Sequence, residues 1–203
     1  MKITRLVIGT TNPGKLAEWK SFLQDQVEIL GLSDFPKMSD ISETGSTFAE
    51  NARIKAGTYA KALNEFVYSE DGGMEIDALN GWPGVSSHRL LPDGSEASDD
   101  QVMSHTLERM KDIPASNRQA RLAFSAAIAD PSGQIIFESQ GALEGVITDS
   151  IGPVVIPGYP FRSIFFLPQE NKTYAELSDN EHDQYNHKKP VAQKVIEFLL
   201  QNK

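Results

Sequence analysis

The sequence predicts an α/β protein built around a mixed β-sheet, and three observations carry that expectation. The chain opens strand–loop–helix, and further strand-like runs alternate with helical ones. Two long strand candidates then meet at a turn signal, which puts an antiparallel pair among the βα units. At 203 residues the chain can bury one good core, as a single domain over 1–203 or as one large lobe with a smaller one.

Ile3–Gly9 is the first apolar strand candidate, and Thr10–Lys15 a polar, turn-rich loop. Leu16, Trp19, Phe22 and Leu23 then share a helical face, and a short strand is expected at Val27–Leu30. Thr47 followed by Glu50 reads as a capping box opening a helix to Leu63, with Phe48, Ala52, Lys55, Ala56 and Ala60 at helical spacing. Phe66–Tyr68 is a short buried strand that ends in Ser69-Glu70-Asp71-Gly72-Gly73, with a new strand over Met74–Leu79 and a turn at Gly81–Gly84. A helix from Ser98 to about Ile113 stops before Pro114. Ala120–Ala129 and Gln134–Ile147 form a hairpin across Asp130-Pro131-Ser132-Gly133. A Gly/Pro-rich loop (Ile151–Pro160), a strand (Ile164–Leu167) and a helix (Pro190–Leu200) complete the chain.

A hydrophobic content of 39% with 23% charged residues is that of a globular chain rather than a disordered one. No apolar run approaches the ~20 residues of a membrane span, so no membrane association is expected. The first residues read as a strand rather than a secretory signal. Without cysteine, thiolate catalysis, disulfides and Cys-ligated zinc are excluded, and a cytoplasmic location fits. A net charge of −9 argues against a nucleic-acid surface. An acidic protein that binds a small polyphosphate must gather its lysines, and a divalent cation, in one place.

Gly9-Thr10-Thr11-Asn12-Pro13-Gly14-Lys15 satisfies Gly-x4-Gly-Lys between a strand and a helix. Leu16 stands where a P-loop needs a hydroxyl, and Pro13 lacks an N–H, so a Walker loop is disfavoured. A helix N-terminus followed by lysine is still a good phosphate site; the bland alternative is a simple connecting turn. Glu70 and Asp71 are adjacent carboxylates that repel unless a cation offsets them, and oxygen ligands suit Mg²⁺; an ordinary Asp-Gly turn is the plainer account. Lys55, in an apolar-rich helix, and Glu43 form a third feature, though a lysine there commonly snorkels to solvent. His182, His187, Lys188 and Lys189 precede the last helix, where solvated surface is the ordinary reading.

Taken in order, several blocks resemble the inosine triphosphate pyrophosphatase family. They are Thr10–Lys15 with Glu18, Glu43–Ala52 with Ile54–Ala56, and Glu70–Leu79 running through Gly81, Pro83–Val85 and Ser87 to Arg89. Gln119–Arg121, Glu144–Ile147, Ile164–Phe166 and Thr173–Leu177 follow. The resemblance implies an elongated mixed sheet flanked by helices, two lobes around a central cleft, and a homodimer. It also implies hydrolysis of ITP, dITP or XTP to the monophosphate and pyrophosphate by Mg²⁺-assisted attack of water on the α-phosphate. Lys15 and Lys55 would hold phosphates, with Thr10, Asn12 and Gly72 beside the substrate. Glu43, Glu70 and Asp71 would face the metal, with Asp71 also the general base.

Departures from the family pattern cluster at the base-reading end. Glu70-Asp71-Gly72-Gly73 replaces Asp-Asp-Ser-Gly, a mild change. The recognition loop, Gly-Phe-Gly-Tyr-Asp-Pro in the family, is here Ile156–Ser163; it carries Tyr159 and Arg162 and lacks the acidic residue. The family's lysine is His182, and its Ser-His-Arg is Asn186-His187-Lys188, which gives up a bidentate fork. His182 would make base selection pH-dependent between about pH 6 and 7. Two other readings stay open: the same chemistry on another base, or a nucleotide-binding protein with little turnover.

Overall fold

The computed structural model describes residues 2–23, 25–36, 41–87 and 97–202; Arg89 lies outside them. Among these described residues thirteen helices and strands follow in order: β1 (Arg5–Ile8), α1 (Pro13–Leu23), β2 (Glu28–Gly31), α2 (Phe48–Leu63), β3 (Val67–Ile76), β4 (Trp82–Pro83), α3 (Asp99–Met110), β5 (Gln119–Ala129), β6 (Ile135–Ile147), β7 (Phe165–Leu167), β8 (Lys172–Thr173), α4 (Asp179–Gln184) and α5 (Lys189–Gln201). The strands form an eight-stranded sheet in the order β2-β1-β3-β5-β6-β7-β8, with β4 on β3. β1 is parallel to both β2 and β3, whereas β6–β7, β7–β8 and β3–β4 are antiparallel. The expected mixed α/β sheet is what the chain forms.

The chain divides into two compact units. The first comprises Met1–Gly72, Phe124–Gly141 and His187–Lys203. Its strands carry apolar side chains on both faces, as a sheet covered on both sides requires. Leu6, Ile8, Tyr68, Ala126 and Ile128 join Trp19 and Leu23 of α1 and Val195 and Leu199 of α5 in one core cluster. Their chain neighbours Val7, Val67, Ala127 and Ala129 join Ala52, Ala56 and Ala60 of α2 in another. The two-residue period of the strand assigns each side chain to its face.

The second unit comprises Gly73–Ala123 and Ala142–Asn186. Val102, Met103 and Met110 of α3 pack there with Met74, Ile76, Ile147, Ile164, Phe165 and Leu167. Arg118 is buried among backbone carbonyls, donating to those of Ile147 (2.7 Å), Met110 (2.7 Å) and Ile113 (3.2 Å), and so ties the end of α3 to β6.

Two expectations need correction. The break expected between Tyr68 and Met74 is absent, and β3 runs unbroken from Val67 to Ile76. The turn lies further on, at Asn80 (φ 53°) and Gly81 (φ 81°), where two consecutive positive φ values reverse the chain toward β4. Gly73 serves close packing instead, since a side chain there would collide with the Ser87 hydroxyl. Helix α1 starts at Pro13 rather than after Lys15. Proline suits a first helical position, and the Asn12 side-chain oxygen accepts from the N–H groups of Gly14 (2.8 Å) and Lys15 (3.2 Å). β8 and α4 are too short to show a period, which leaves them outside the expected elements.

Candidate active site

The site grows from the alternation of β3. Successive strand side chains point to opposite faces, so Glu70 and Asp71 diverge, Glu70 toward Lys15 and Lys188 and Asp71 toward Lys55. The repulsion expected between them is relieved by geometry, with no shared cation required.

Glu70 lies on the α1 side and is 5% exposed. Its Oε2 accepts from the Trp19 indole N–H (2.7 Å) and the Tyr68 hydroxyl (3.2 Å). Its Oε1 faces the Nζ atoms of Lys188 (2.8 Å) and Lys15 (3.3 Å). Burial alone would raise the Glu70 pKa, but Lys188 and Lys15 outweigh it and hold the carboxyl at about 2. Burial, then the Glu70 charge, pushes the Tyr68 phenol well above its ordinary value, so it remains a donor. Lys188 also reaches Glu18 at 2.8 Å. Burial would lower the Lys188 pKa, yet Glu70 and Glu18 hold it above the ordinary lysine value.

Asp71 lies on the α2 side. Its Oδ2 accepts from the Asn51 side-chain amide at 3.0 Å, and its Oδ1 is 3.6 Å from Lys55 Nζ. Lys55 also donates to Glu43 Oε1 at 3.1 Å. The Lys55 side chain is only 13% exposed, so it lies between two carboxylates rather than snorkelling to solvent. The 41–47 segment that brings Glu43 there is wound onto the start of α2. Thr47 caps the Glu50 N–H (3.1 Å), Glu50 accepts from Ser46 (2.7 Å), and the Asn51 carbonyl oxygen accepts from the Gly45 N–H (2.8 Å).

Three residues of this cluster escaped sequence reading: Asn51, Trp19 and Tyr68. Asn51 carried a usable signal, because an amide on the same helical face as Phe48 and Ala52 is buried and must find partners. Trp19 and Tyr68 read as plain core, since a ring in an apolar stripe says nothing of where its N–H or O–H points.

Other expected site residues have definite places. Asn12 caps α1 and its backbone N–H donates to Thr10 Oγ1 (3.1 Å), so the helix N-terminus is already closed by the loop itself. Pro13 has no N–H, and those of Gly14 and Lys15 already meet the Asn12 side chain, so the segment lacks the free N–H groups that a P-loop aims at phosphate. Gly72 sits in extended backbone within β3. His187, placed with the base-reading residues from sequence, lies in the first unit with its ring edge-on to Phe124 (5.4 Å). Lys188, grouped the same way, belongs to the Glu70 cluster.

The second unit carries its own polar group. The Arg162 guanidinium lies over the rings of Tyr159 (4.2 Å) and Tyr174 (5.3 Å). Tyr174 meets the His182 ring edge-on at 4.6 Å. Burial and then Arg162 lower the His182 pKa against the opposing charges of Asp179 and Glu181. The pH window expected of His182 therefore moves below the ordinary imidazole value. The loop over 156–163, expected from the family resemblance to read the base, turns at Gly158 (φ 80°), whose N–H donates to Asp99 Oδ2 at 2.7 Å.

Among the described residues no three His, Asp or Glu side chains stand close enough to cage a metal. Glu43 and Asp71, both oxygen ligands drawn to Lys55, suit a hard ion that takes its remaining oxygens from substrate phosphates, as Mg²⁺ commonly does. Glu70 already meets four donors, the usual capacity of a carboxylate.

Carboxylates paired with lysines on both faces of a central strand are what the fold and site of this α/β protein define. Residues 6–198 match the profile of the Ham1 family. The chain is 37% identical over 195 residues to the dITP/XTP pyrophosphatase of Halalkalibacterium halodurans, covering 95% of this chain and 97% of that one. It is 38% identical over 188 residues to the dITP/XTP pyrophosphatase of Shouchella clausii, covering 92% and 91%. Among solved structures, a Ham1 protein of Coxiella burnetii superposes with a TM-score of 0.85 at 30% identity, over 98% of this chain and all of that one (100%). The Staphylococcus aureus Ham1 protein gives 0.84 at 30% identity over 98% and 100%. The chain belongs to the Ham1 family.

Proposed function

We propose that this chain is a nucleoside triphosphate pyrophosphatase that hydrolyses ITP, dITP and XTP to the monophosphate and pyrophosphate. The observation that carries the proposal is the paired arrangement around Asp71: a carboxylate held by Asn51 and Lys55, with Glu43 on the same lysine. Two close relatives are named for dITP/XTP pyrophosphatase activity.

In this proposal Lys15 and Lys55 exchange their carboxylate partners for phosphate oxygens, and Thr10, Asn12 and Gly72 lie beside the chain of phosphates. Asp71 takes a proton from water as its oxygen bonds to the α-phosphorus; the bond from that phosphorus to the bridging oxygen breaks, and pyrophosphate leaves with the pair of electrons. Lysine charge offsets the charge that develops on the phosphoryl oxygens. Mg²⁺, held by Glu43 and Asp71, would orient the triphosphate and acidify water, while Glu70, on the opposite face of β3, would act by holding Lys15 and Lys188. Tyr159, Arg162 and His182 are proposed to face the nucleoside, and Lys188 to act through Glu70. The chain works as one domain, cytoplasmic and homodimeric. Family resemblance and the exposed Ile151, Val154 and Val155 support the dimer, and the absence of cysteine supports the location. Among the described residues no helix is long and apolar enough to cross a membrane.

A screen of nucleoside triphosphates with Mg²⁺, measuring pyrophosphate and monophosphate, tests the reading. Equal amounts of both from ITP or XTP are expected; release of orthophosphate, or no turnover of any triphosphate, rejects it. A second reading, the same chemistry on another base, draws on the Tyr159–Arg162–Tyr174–His182 group, where the recognition loop lacks its acidic residue. The same screen decides between the two.

A further inference from the structure

We infer that Asn51 is a positioning residue that sets the orientation of Asp71 and fastens the Glu43 segment to it. The inference rests on the proposed role of Asp71 as base.

A primary amide has one acceptor and one donor end, and here each is committed to a different part of the site. The Asn51 oxygen accepts from the Gly45 N–H at 2.8 Å, two residues from Glu43. Its nitrogen donates to Asp71 Oδ2 at 3.0 Å. Asn51 is 2% exposed, so neither partner is readily replaced by water. Four residues on, Lys55 stands on the same face of α2, 3.6 Å from the other oxygen of Asp71. Successive turns of one helix therefore hold both carboxylate oxygens, which fixes the rotation of the group as a single contact would not. The loop end is equally constrained. A Cβ at Gly45 would lie 2.7 Å from the Asn51 oxygen and 2.6 Å from Glu50 Cβ, so only glycine lets the segment approach this closely. Asn51, Asp71, Lys55 and Glu43 thus close a ring through the backbone of Glu43–Gly45.

The two ends of the amide can be tested apart. Asn51→Asp keeps the acceptor for Gly45 and the shape, and sets a carboxyl in place of the N–H that faces Asp71, so the two acceptors repel unless they share a proton. A fall in kcat of ~10- to 100-fold is expected in the folded variant, the scale of a misplaced reacting group, with KM within about twofold and Gly45 amide exchange as slow as in the unaltered protein. Asn51→Ala removes both ends, so Gly45 exchange should quicken as well. Full kcat in folded Asn51→Asp overturns the inference. So does a loss of activity in both variants that merely tracks the unfolded fraction. An independent readout needs no turnover: the Asn51 side-chain N–H resonances should shift in Asp71→Ala. Resonances that do not move overturn the inference even if the chain proves to cleave no triphosphate, a result that would by itself reject only the proposed function.

Discussion

In the first unit Lys15, Lys55 and Lys188 each face a carboxylate within 3.6 Å, whereas in the second Arg162 lies over the faces of Tyr159 and Tyr174 at 4.2 and 5.3 Å. The two devices respond differently to a ligand. A buried ammonium between carboxylates is held in position and surrenders them only to another anion, so under the proposed function the first cluster would select for charge and be indifferent to the base. A guanidinium over rings, beside an exposed tyrosine (43%), presents a broad planar surface with few fixed directions. Reaction chemistry tolerates little displacement of its groups, whereas base recognition can be rebuilt from other side chains. The chain follows its family closely at the first cluster and departs from it at the second.

The largest effects should follow from breaking the first cluster. Asp71→Asn is expected to keep the fold and nucleotide affinity while lowering turnover by ~100-fold or more, the usual range for loss of a general base. EDTA should abolish activity and added Mg²⁺ restore it. Steady-state rates with and without chelator check both; wild-type turnover in Asp71→Asn removes Asp71 from the mechanism. Next come Lys15→Ala and Lys55→Ala. Each should weaken triphosphate binding by ~10- to 100-fold, the range for charge-assisted hydrogen bonds, and nucleoside binding much less. Calorimetric titration with both ligands decides, and equal losses would place these lysines away from the phosphates.

Glu70 sharpens the comparison from the side of stability. Its folded-state pKa of about 2 lies below the ordinary 4.5, so its contribution is fully present above about pH 4.5 and is lost as pH falls toward 2. Glu70→Gln should cost roughly 3 kcal/mol at neutral pH, because it leaves Lys15 and Lys188 partly buried without their shared carboxylate. It should also flatten stability between those two pH values. Urea unfolding at pH 7 and pH 3 measures both, and an unchanged acid limb would show that another group carries it.

Much of the fold was legible because period and capping are local. Thr47 before α2, Ser98 before α3 and the Asp130–Gly133 hairpin all announce themselves within a few residues. The unbroken β3 did not. Asp71-Gly72 and Asn80-Gly81 are both turn signals, and what keeps the first extended is contact with α1, α2 and Ser87 from elsewhere in the chain. In the site, Lys15, Lys55, Glu43, Glu70 and Asp71 could be named from residue type and family resemblance. Which carboxylate meets which lysine could not, since Lys188 and Glu70 are 118 residues apart. The family resemblance groups Lys188 with His182 at the base-reading end, yet it stands at the head of α5 on an α1–β3 cluster.

The smallest effect expected is on base selection, and it probes the second cluster directly. A site that hydrogen-bonds a substrate group rejects ligands that leave its buried polar atoms unpaired. Here no acidic residue stands in the recognition loop, and Arg162 and His182 meet Tyr174 from ring face and ring edge. The expected outcome is weaker discrimination among bases, or a preference moved away from hypoxanthine, with phosphate chemistry unchanged. Burial and Arg162 keep His182 neutral at pH 7 and delay its protonation below the ordinary 6.5. Once protonated, both ring nitrogens donate, which favours a base that presents acceptors; the change in preference, a few-fold to about tenfold for one hydrogen bond, should therefore appear on the acid side. Measuring kcat/KM for ITP, XTP, GTP, ATP and pyrimidine triphosphates from pH 5 to 8 checks this, with His182→Gln expected to remove the pH dependence of the ratios. An ITP preference over GTP of several hundredfold at every pH would sink the idea and assign base reading to other residues.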